Sequence, residues 1–165
     1  MVKIKEFSLN FNLRWLTNFK EMFIGEYHRT KDNKGRVFIP SKFREELIGG
    51  AVISKGFDER CLFLFSKEGW NNLRSKIPAG PIAKKNTLAL ARWFYASAND
   101  EAIDPQGRVK IPQNLSEYAN LDKDIVLVGV SDRVEIWSKQ AWSSYYDETD
   151  NKFMSDDSTL RELGF

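Results

Sequence analysis

The sequence carries one segment twice, 72 residues apart. Residues 32–40 read Asp-Asn-Lys-Gly-Arg-Val-Phe-Ile-Pro, and residues 104–112 read Asp-Pro-Gln-Gly-Arg-Val-Lys-Ile-Pro, so six of nine positions match. The pattern Ser-Lys-x-x-Trp at 66–70 returns at 138–142 with the same offset. Several matches at one offset indicate an internal duplication. We therefore expect two copies of one structural unit to build one pseudo-symmetric body.

The composition is that of a globular protein. At 165 residues, with 42% hydrophobic and 13% aromatic content, the chain can bury a core as one domain or as two halves. No apolar run approaches the roughly 20 residues that cross a bilayer, so we expect no membrane association. The single cysteine, Cys61, cannot form an intrachain disulfide, and its apolar neighbours predict a buried strand thiol. An intracellular, reducing compartment fits this usage.

Charge is distributed unevenly along the chain. Residues 1–100 contain 18 Lys and Arg against 10 Asp and Glu, whereas residues 101–165 contain 7 against 13. A basic half beside an acidic half suggests an anionic partner on one side only. The alternatives are two solvated faces or head-to-tail attraction between subunits.

The two copies predict the same order of elements: a turn, a strand, a short helix, a strand pair and a capped helix. We place repeat 1 over 26–69, linker helices over 70–97, repeat 2 over 98–141, and a C-terminal helix with an acidic tail over 142–165. Residues 1–21 are interpreted as an N-terminal extension outside the core; the alternative is an amphipathic arm that docks on a neighbour. Because strands this short cannot form a stable sheet in each half separately, we expect an α+β fold in which both copies pair about a pseudo-twofold axis into one small barrel.

The repeated turn separates structural residues from additional ones. Asp, Gly and Arg occur in both copies, which predicts that the fold itself needs Asp32, Gly35, Asp104, Gly107 and Arg108. Residues 29–36 hold four basic residues and one acid, but residues 101–108 hold one base and two acids. The extra cations Arg29, Lys31 and Lys34 occur only in the first copy. A loop rich in Lys and Arg is suited to neutralising phosphates.

Arg36 has two interpretations. Its planar guanidinium can read guanine O6 and N7 in the major groove, or it can form a local ion pair with Asp32 or another nearby acid. For Arg108 the local ion pair is the favoured interpretation. Lys42 and Arg44 are secondary candidates for phosphate contacts, with solvated helix charges as the alternative.

The sequence offers little for catalysis, cofactor binding or a metal site. The only histidine, His28, has no cysteine near it in sequence, and no phosphate-binding glycine loop is present. Turn capping accounts for the repeated aspartates, Asp32 and Asp104. The tryptophans Trp70, Trp93, Trp137 and Trp142 are spaced for burial in a core rather than for stacking on bases. We therefore expect a protein that is not an enzyme and holds no cofactor or metal.

Several motifs in order are similar to those of the MraZ family of bacterial transcriptional regulators. They span the chain from residue 22 to its end, and residues 1–21 precede the point at which that family usually begins. The carriers are residues 22–27 (Met-Phe-Ile-Gly-Glu-Tyr), both Asp-x-x-Gly-Arg turns, residues 39–44 (Ile-Pro-Ser-Lys-Phe-Arg), Ala119-x-Leu121, residues 126–129 (Val-Leu-Val-Gly), residues 135–137 (Glu-Ile-Trp) and Trp142.

The resemblance implies tandem AbrB-like (swapped-hairpin) units in a double-split β-barrel with peripheral helices. It also implies a homo-oligomeric ring that binds direct repeats of double-stranded DNA upstream of the cell-division and cell-wall gene cluster, in the cytoplasm at the nucleoid. The resemblance further implies that Arg36 lies where members of the family contact DNA. The alternative is a protein-interaction module like the antitoxins built on this scaffold. A full second repeat and a short tail favour the regulator.

Overall fold

The computed structural model describes residues 22–57, 59–81, 83–155 and 158–164, so the predicted N-terminal extension, residues 1–21, lies outside the described residues. The strands are β1 Phe23–Thr30, β2 Arg36–Phe38, β3 Ala51–Lys55, β4 Leu62–Ser66, β5 Asn99–Glu101, β6 Arg108–Lys110, β7 Asp124–Ser131 and β8 Arg133–Ser138. The helices are α1 Ser41–Arg44, which continues as a 3₁₀ turn Glu45–Leu47, α2 Lys67–Lys76, α3 Lys85–Ser97, α4 Gln113–Tyr118, α5 Lys139–Ser155 and α6 Ser158–Glu162. The predicted α+β class is confirmed.

The strands of the two copies alternate within one antiparallel sheet of order β1-β7-β8-β4-β3-β5. This order is symmetric about its centre, since β4 and β8 are equivalent strands of the two copies and pair with each other. Phe63 lies opposite Glu135, its own counterpart 72 residues on. Outward from that centre, β1 of the first copy pairs with β7 of the second, and β5 of the second pairs with β3 of the first. Neither copy has a complete sheet by itself.

A separate two-stranded ribbon joins the repeated turns. In it β2 pairs with β6 so that Val37 lies opposite Val109, again a pair of equivalent residues. Two further hydrogen bonds extend the ribbon reciprocally. Ile39 N donates to Gly107 O at 2.9 Å, and Ile111 N donates to Gly35 O at 2.8 Å. The register therefore obeys a twofold relation between the copies.

The described strands do not close into the small barrel that the sequence predicts. The six-stranded sheet is open, with β1 and β5 each paired on one side only, and the ribbon is a second sheet. The edge strand β1 has eight residues and the edge strand β5 has three, so the two open edges of the sheet differ in length. The swapped-hairpin double-split barrel stays a prediction.

Two apolar clusters hold these layers together. The first lies where the ribbon and the short helices cover the sheet, and it includes Val37, Phe43, Val109, Leu115 and Leu127. Phe43 packs edge-on against Phe23 and Tyr27, with ring centroids 5.2 and 5.1 Å apart. Successive residues of a strand point to opposite faces of the sheet, so the other face of the sheet is free to form a second set of contacts.

The second cluster lies on the far side of the sheet, against α2, α3 and α5. It contains Cys61, buried as predicted, and Phe94. Trp137 is also buried, but the prediction that Trp93 lies in the core is wrong. Trp93 is 38% exposed, and Lys55 Nζ lies 5.6 Å from the centroid of its ring. Trp93 lies on α3, which connects the two copies, so the 72-residue repeat does not predict its environment.

Serine caps begin the two equivalent helices. Ser66 Oγ accepts a hydrogen bond from Gly69 N at 3.0 Å before α2, and Ser138 Oγ accepts one from Ala141 N at 3.2 Å before α5. Each bond satisfies a backbone donor that the first helical turn leaves without a partner. Among the helices described here, none combines the length and the apolar character needed to cross a membrane.

Candidate nucleic-acid interface

The first repeated turn is closed by its aspartate. Asp32 Oδ1 accepts hydrogen bonds from the backbone N–H groups of Lys34 and Arg36, both at 2.9 Å. Asp32 Oδ2 accepts from Arg36 Nε at 2.8 Å. Gly35, at φ +76°, takes a backbone conformation that favours glycine and donates its N–H to Asp32 O at 2.9 Å. This turn delivers the chain directly into β2.

The second turn repeats the same bonds. Asp104 Oδ1 accepts from the backbone N–H groups of Gln106 at 3.0 Å and Arg108 at 2.9 Å. Asp104 Oδ2 accepts from Arg108 Nε at 2.8 Å, and Gly107 has φ +80°. Because both copies make this network although their charges differ, the network belongs to the fold, whatever else each turn contacts.

Both turn aspartates are ionised at neutral pH. The hydrogen bond from the Arg36 side chain, followed by that from its backbone N–H, holds the pKa of Asp32 at about 2. The backbone hydrogen bond from Arg108, together with its side chain, holds the pKa of Asp104 below its usual range. Each ionised carboxylate therefore holds the backbone of its own turn and neutralises part of the charge of the arginine that it pairs with.

Arg36 makes the ion pair that was one of its two interpretations. Its Nη2 lies 2.7 Å from Asp32 Oδ2, and its side chain is 31% exposed. The contacts described for the guanidinium engage Nε and Nη2 with the same carboxylate oxygen. An arginine held in this way is pre-organised for a second contact. Its role in DNA binding stays a prediction.

Lys31 is fastened to the second copy. Its ammonium donates to Ser116 Oγ and to Leu121 O, both at 2.5 Å. Ser116 is buried in α4. At the equivalent position of the second copy stands Ile103, which packs against the first apolar cluster. Lys31 thus links the first turn to α4 through a partly buried contact that the sequence pattern does not reveal.

Arg44 lies at the opposite end of the ribbon from Lys34. Its Nε donates to Ile39 O at 2.9 Å, and its guanidinium covers Gly107, where an added Cβ would lie 2.4 Å from Cζ. Lys42 is exposed on the same short helix α1. Arg29, on β1, donates Nη1 to His28 O at 2.8 Å and lies over the Tyr27 ring. The six predicted cations therefore do not form one patch.

The outer face of the ribbon carries residues that sequence analysis did not single out. Val37 and Val109 point inward and are fully buried, so their neighbours Arg36, Phe38, Arg108 and Lys110 point outward. Across the strands, Arg36 lies opposite Lys110, and Phe38 lies opposite Arg108. The alternation of apolar residues around Val37 and Val109 was the signal that would have found Phe38 and Lys110.

The ribbon and its turns are cationic overall. Four cations lie on this outer surface, Lys34, Arg36, Arg108 and Lys110, against the two turn carboxylates. On neighbouring β5, burial raises the pKa of Glu101, and the charge of Lys110 opposes that rise. A strand pair spans about 5 Å, and the major groove of B-DNA is about 12 Å wide, so a two-stranded ribbon fits within it.

Comparison with known proteins agrees with the duplicated architecture. The sequence model of a family described as "MraZ protein, putative antitoxin-like" matches twice in tandem, over residues 22–92 and 94–163. The chain belongs to the MraZ family. The resemblance found in the sequence is thereby confirmed, together with the tandem arrangement of two copies in one chain.

The regions that match this chain span most of the length of its relatives. A protein of Thermoanaerobacter sp. (strain X514), named "Transcriptional regulator MraZ", is 49% identical over 132 residues, which are 80% of this chain and 92% of that protein. Its namesake in Acetivibrio thermocellus is 51% identical over 124 residues, 75% of this chain and 86% of that protein. Another, in Thermoanaerobacter pseudethanolicus, is 47% identical over 142 residues, 86% and 99% of the two chains.

Proposed function

We propose that this chain is a sequence-specific DNA-binding transcription regulator that contacts double-stranded DNA through the first turn and the adjoining ribbon. The observation that carries the proposal is the grouping of Lys34, Arg36 and Lys110 at one end of a solvent-facing two-stranded ribbon. The names of the MraZ relatives support regulation of transcription. In this proposal the lysines contact phosphates and Arg36 contacts the edges of bases.

The arginine fork is suited to guanine. Since Asp32 already fixes Arg36 through Nε and Nη2, little rotamer freedom remains to be lost when the guanidinium meets O6 or N7 of guanine. Lys34 at the turn tip adds charge with no carboxylate contact described for its ammonium. Within this proposal Lys31, Arg29, Lys42 and Arg44 are secondary contacts, since the structure gives Lys31 and Arg44 bonds inside the protein.

Assembly completes the proposed mechanism. One turn spans few base pairs, so a single subunit binds DNA weakly, whereas linked turns on spaced direct repeats raise avidity by about 10²–10⁴. We propose a homo-oligomeric ring on the swapped-hairpin scaffold that represses its own division and cell-wall gene cluster, in the cytoplasm and at the nucleoid. Attraction between the basic first half and the acidic second half of neighbouring subunits would close such a ring, and it predicts weaker assembly at high salt.

A protein-interaction module of the antitoxin kind is the second candidate. The description of the matched family includes the words "putative antitoxin-like". In this chain α5 and α6 bury none of their described residues and expose Tyr146, Phe153, Met154 and Leu160. Against this candidate stands the second copy, which completes the sheet and the ribbon instead of serving as a tail.

The deciding experiment is fluorescence anisotropy on a DNA fragment from upstream of the chain's own gene, measured across a salt series. Arg36→Ala is compared with wild type and with Arg92→Ala, an exposed arginine on α3. Loss of binding by Arg36→Ala alone, with folding and assembly intact, supports recognition through the first turn. Unchanged binding by Arg36→Ala refutes it, and no binding by the wild type favours the interaction module.

A further inference from the structure

An apolar ring stands in the middle of the cationic ribbon face. Phe38 is 48% exposed, although both of its neighbours along the chain, Val37 and Ile39, are buried. It points outward because the strand alternates, so it cannot join the first apolar cluster without a change of register. A large aromatic side chain therefore lies on the solvent-facing side of the ribbon, outside the core.

The ring is held in position by the second turn. Arg108, which lies opposite Phe38 in the ribbon, places Cζ 5.7 Å from the centroid of the Phe38 ring. Arg108 is itself fixed by Asp104, through the 2.8 Å bond from Nε to Oδ2. A ring that rests on a fixed guanidinium loses little freedom when it meets a partner.

The charges around Phe38 identify the partner as polyanionic. Arg36, Arg108 and Lys110 occupy the other outward positions of the ribbon. An apolar residue among cations matches the major groove of DNA, because thymine presents a C5-methyl group there between phosphate-lined edges. A hydrophobic protein surface would instead leave the excess positive charge of the ribbon, four cations against two turn carboxylates, without counterions at the interface.

We propose that Phe38 is a specificity-determining residue, which packs against the C5-methyl group of thymine in the major groove and so adds a preference that the charged residues do not supply. The inference rests on the proposed function, since it assumes that the ribbon meets DNA. Burying one methyl group contributes a factor of about four in affinity. The contact carries no charge, so it leaves the salt dependence of binding unchanged.

The test compares two versions of the fragment from upstream of the chain's own gene, one natural and one in which deoxyuridine replaces every thymidine. Full-length wild type and Phe38→Ala are titrated against both by fluorescence anisotropy at several salt concentrations. Leu90→Ala, on α3, is the matched control, since Leu90 is exposed to a similar degree, 45%. Circular dichroism and light scattering check that fold and subunit number are unchanged.

We expect the wild type and Leu90→Ala to bind the thymidine duplex at least about four times more tightly than the deoxyuridine duplex. Phe38→Ala should bind both with equal affinity and keep the wild-type salt slope. A thymidine preference that persists in Phe38→Ala, or that the wild type lacks, overturns this inference and leaves the proposed function standing. A changed subunit number in Phe38→Ala overturns it in favour of contact with a second copy. No binding of either duplex by wild type overturns both.

Discussion

The ammonium of Lys31 lies 2.5 Å from the hydroxyl oxygen of Ser116, 85 positions further along the chain. This contact ties the basic turn of the first copy to the short helix α4 of the second. A side chain predicted from its neighbours to meet phosphates thus has a partner within the protein. The same holds at the other end of the ribbon, where Arg44 of the first copy covers Gly107 of the second. The two copies are fastened to each other at both turns.

Replacing Lys31 should therefore affect stability. We expect Lys31→Met to lower the free energy of unfolding by about 1–2 kcal/mol, because hydrogen bonds to Ser116 Oγ and Leu121 O are lost while the apolar stem is kept. Lys34→Met, at the exposed turn tip, is the control and should stay within about 0.5 kcal/mol of wild type. Urea denaturation measures both. Equal midpoints for the two variants would contradict a structural role for Lys31.

The turn aspartates should make stability depend on pH in the acid range. The pKa of Asp32 is about 2 in the folded chain, below the ordinary value of 3.8, so its ionised form stabilises the fold above pH about 4. That contribution is lost as the pH falls from about 4 toward 2. Asp32→Asn should therefore be less stable than wild type at pH 7, with the difference shrinking as the pH falls toward 2, the folded-state pKa of Asp32.

The second turn offers a parallel for this experiment, and α5 offers a control. Asp104→Asn should show the same sign, since Arg108 lowers the pKa of Asp104 through equivalent bonds. Asp147→Asn, exposed on α5, carries no turn network and serves as the matched control. Thermal unfolding followed by circular dichroism between pH 2 and 7 gives the comparison. A gap between wild type and Asp32→Asn that stays constant over this range would argue against the ion pair.

A glycine allows β1 to dock on β7. An added Cβ at Gly129 would lie 2.4 Å from Ile24 N and 2.5 Å from Phe23 C, which are backbone atoms that cannot move aside cheaply. We expect Gly129→Ala to destabilise the protein by about 1–3 kcal/mol and to loosen β1 first. Hydrogen exchange of the β1 amides reports the loosening. In Gly49→Ala the new methyl group meets only a lysine side chain at 3.8 Å, and protection of β1 should be retained.

Lys110 should behave as a phosphate contact if the ribbon faces DNA. The variant Lys110→Ala should bind all duplexes more weakly by the same factor. The magnitude of the slope of log affinity against log salt should decrease by about 0.9. Lys85→Ala, on the exposed side of α3, removes the same charge elsewhere. Anisotropy titrations in a salt series separate the two variants. An unchanged slope in Lys110→Ala would place DNA away from this end of the ribbon.

Local features were readable from the sequence because their causes are local. Asp32 and Gly35 form their turn through bonds that span four residues or fewer. The serine caps at Ser66 and Ser138 act over three residues. The outward positions of Phe38 and Lys110 are also local, since they follow from strand alternation next to the buried Val37 and Val109.

Features that depend on distant partners were not readable. Lys31 and Arg44 looked like loop and helix charges because Ser116 and Gly107 are far away in sequence. The prediction of one small barrel depended on which strand edges pair, and the spacing of short strands in the sequence does not determine which edges remain open. The spacing of Trp93 predicts burial in the core, yet the surface of α3 on which it lies faces outward beside Lys55.

The sequence by itself determined the duplication, the two Asp-anchored turns, the α+β class and the family, because each rests on residues a few positions apart or on a repeat of fixed offset. Only the tertiary structure decided which cations remain exposed and which are bound within the protein. The reason is physical: the two copies complete each other's sheet and ribbon, so the partners of Lys31 and Arg44 are supplied by the other half of the chain.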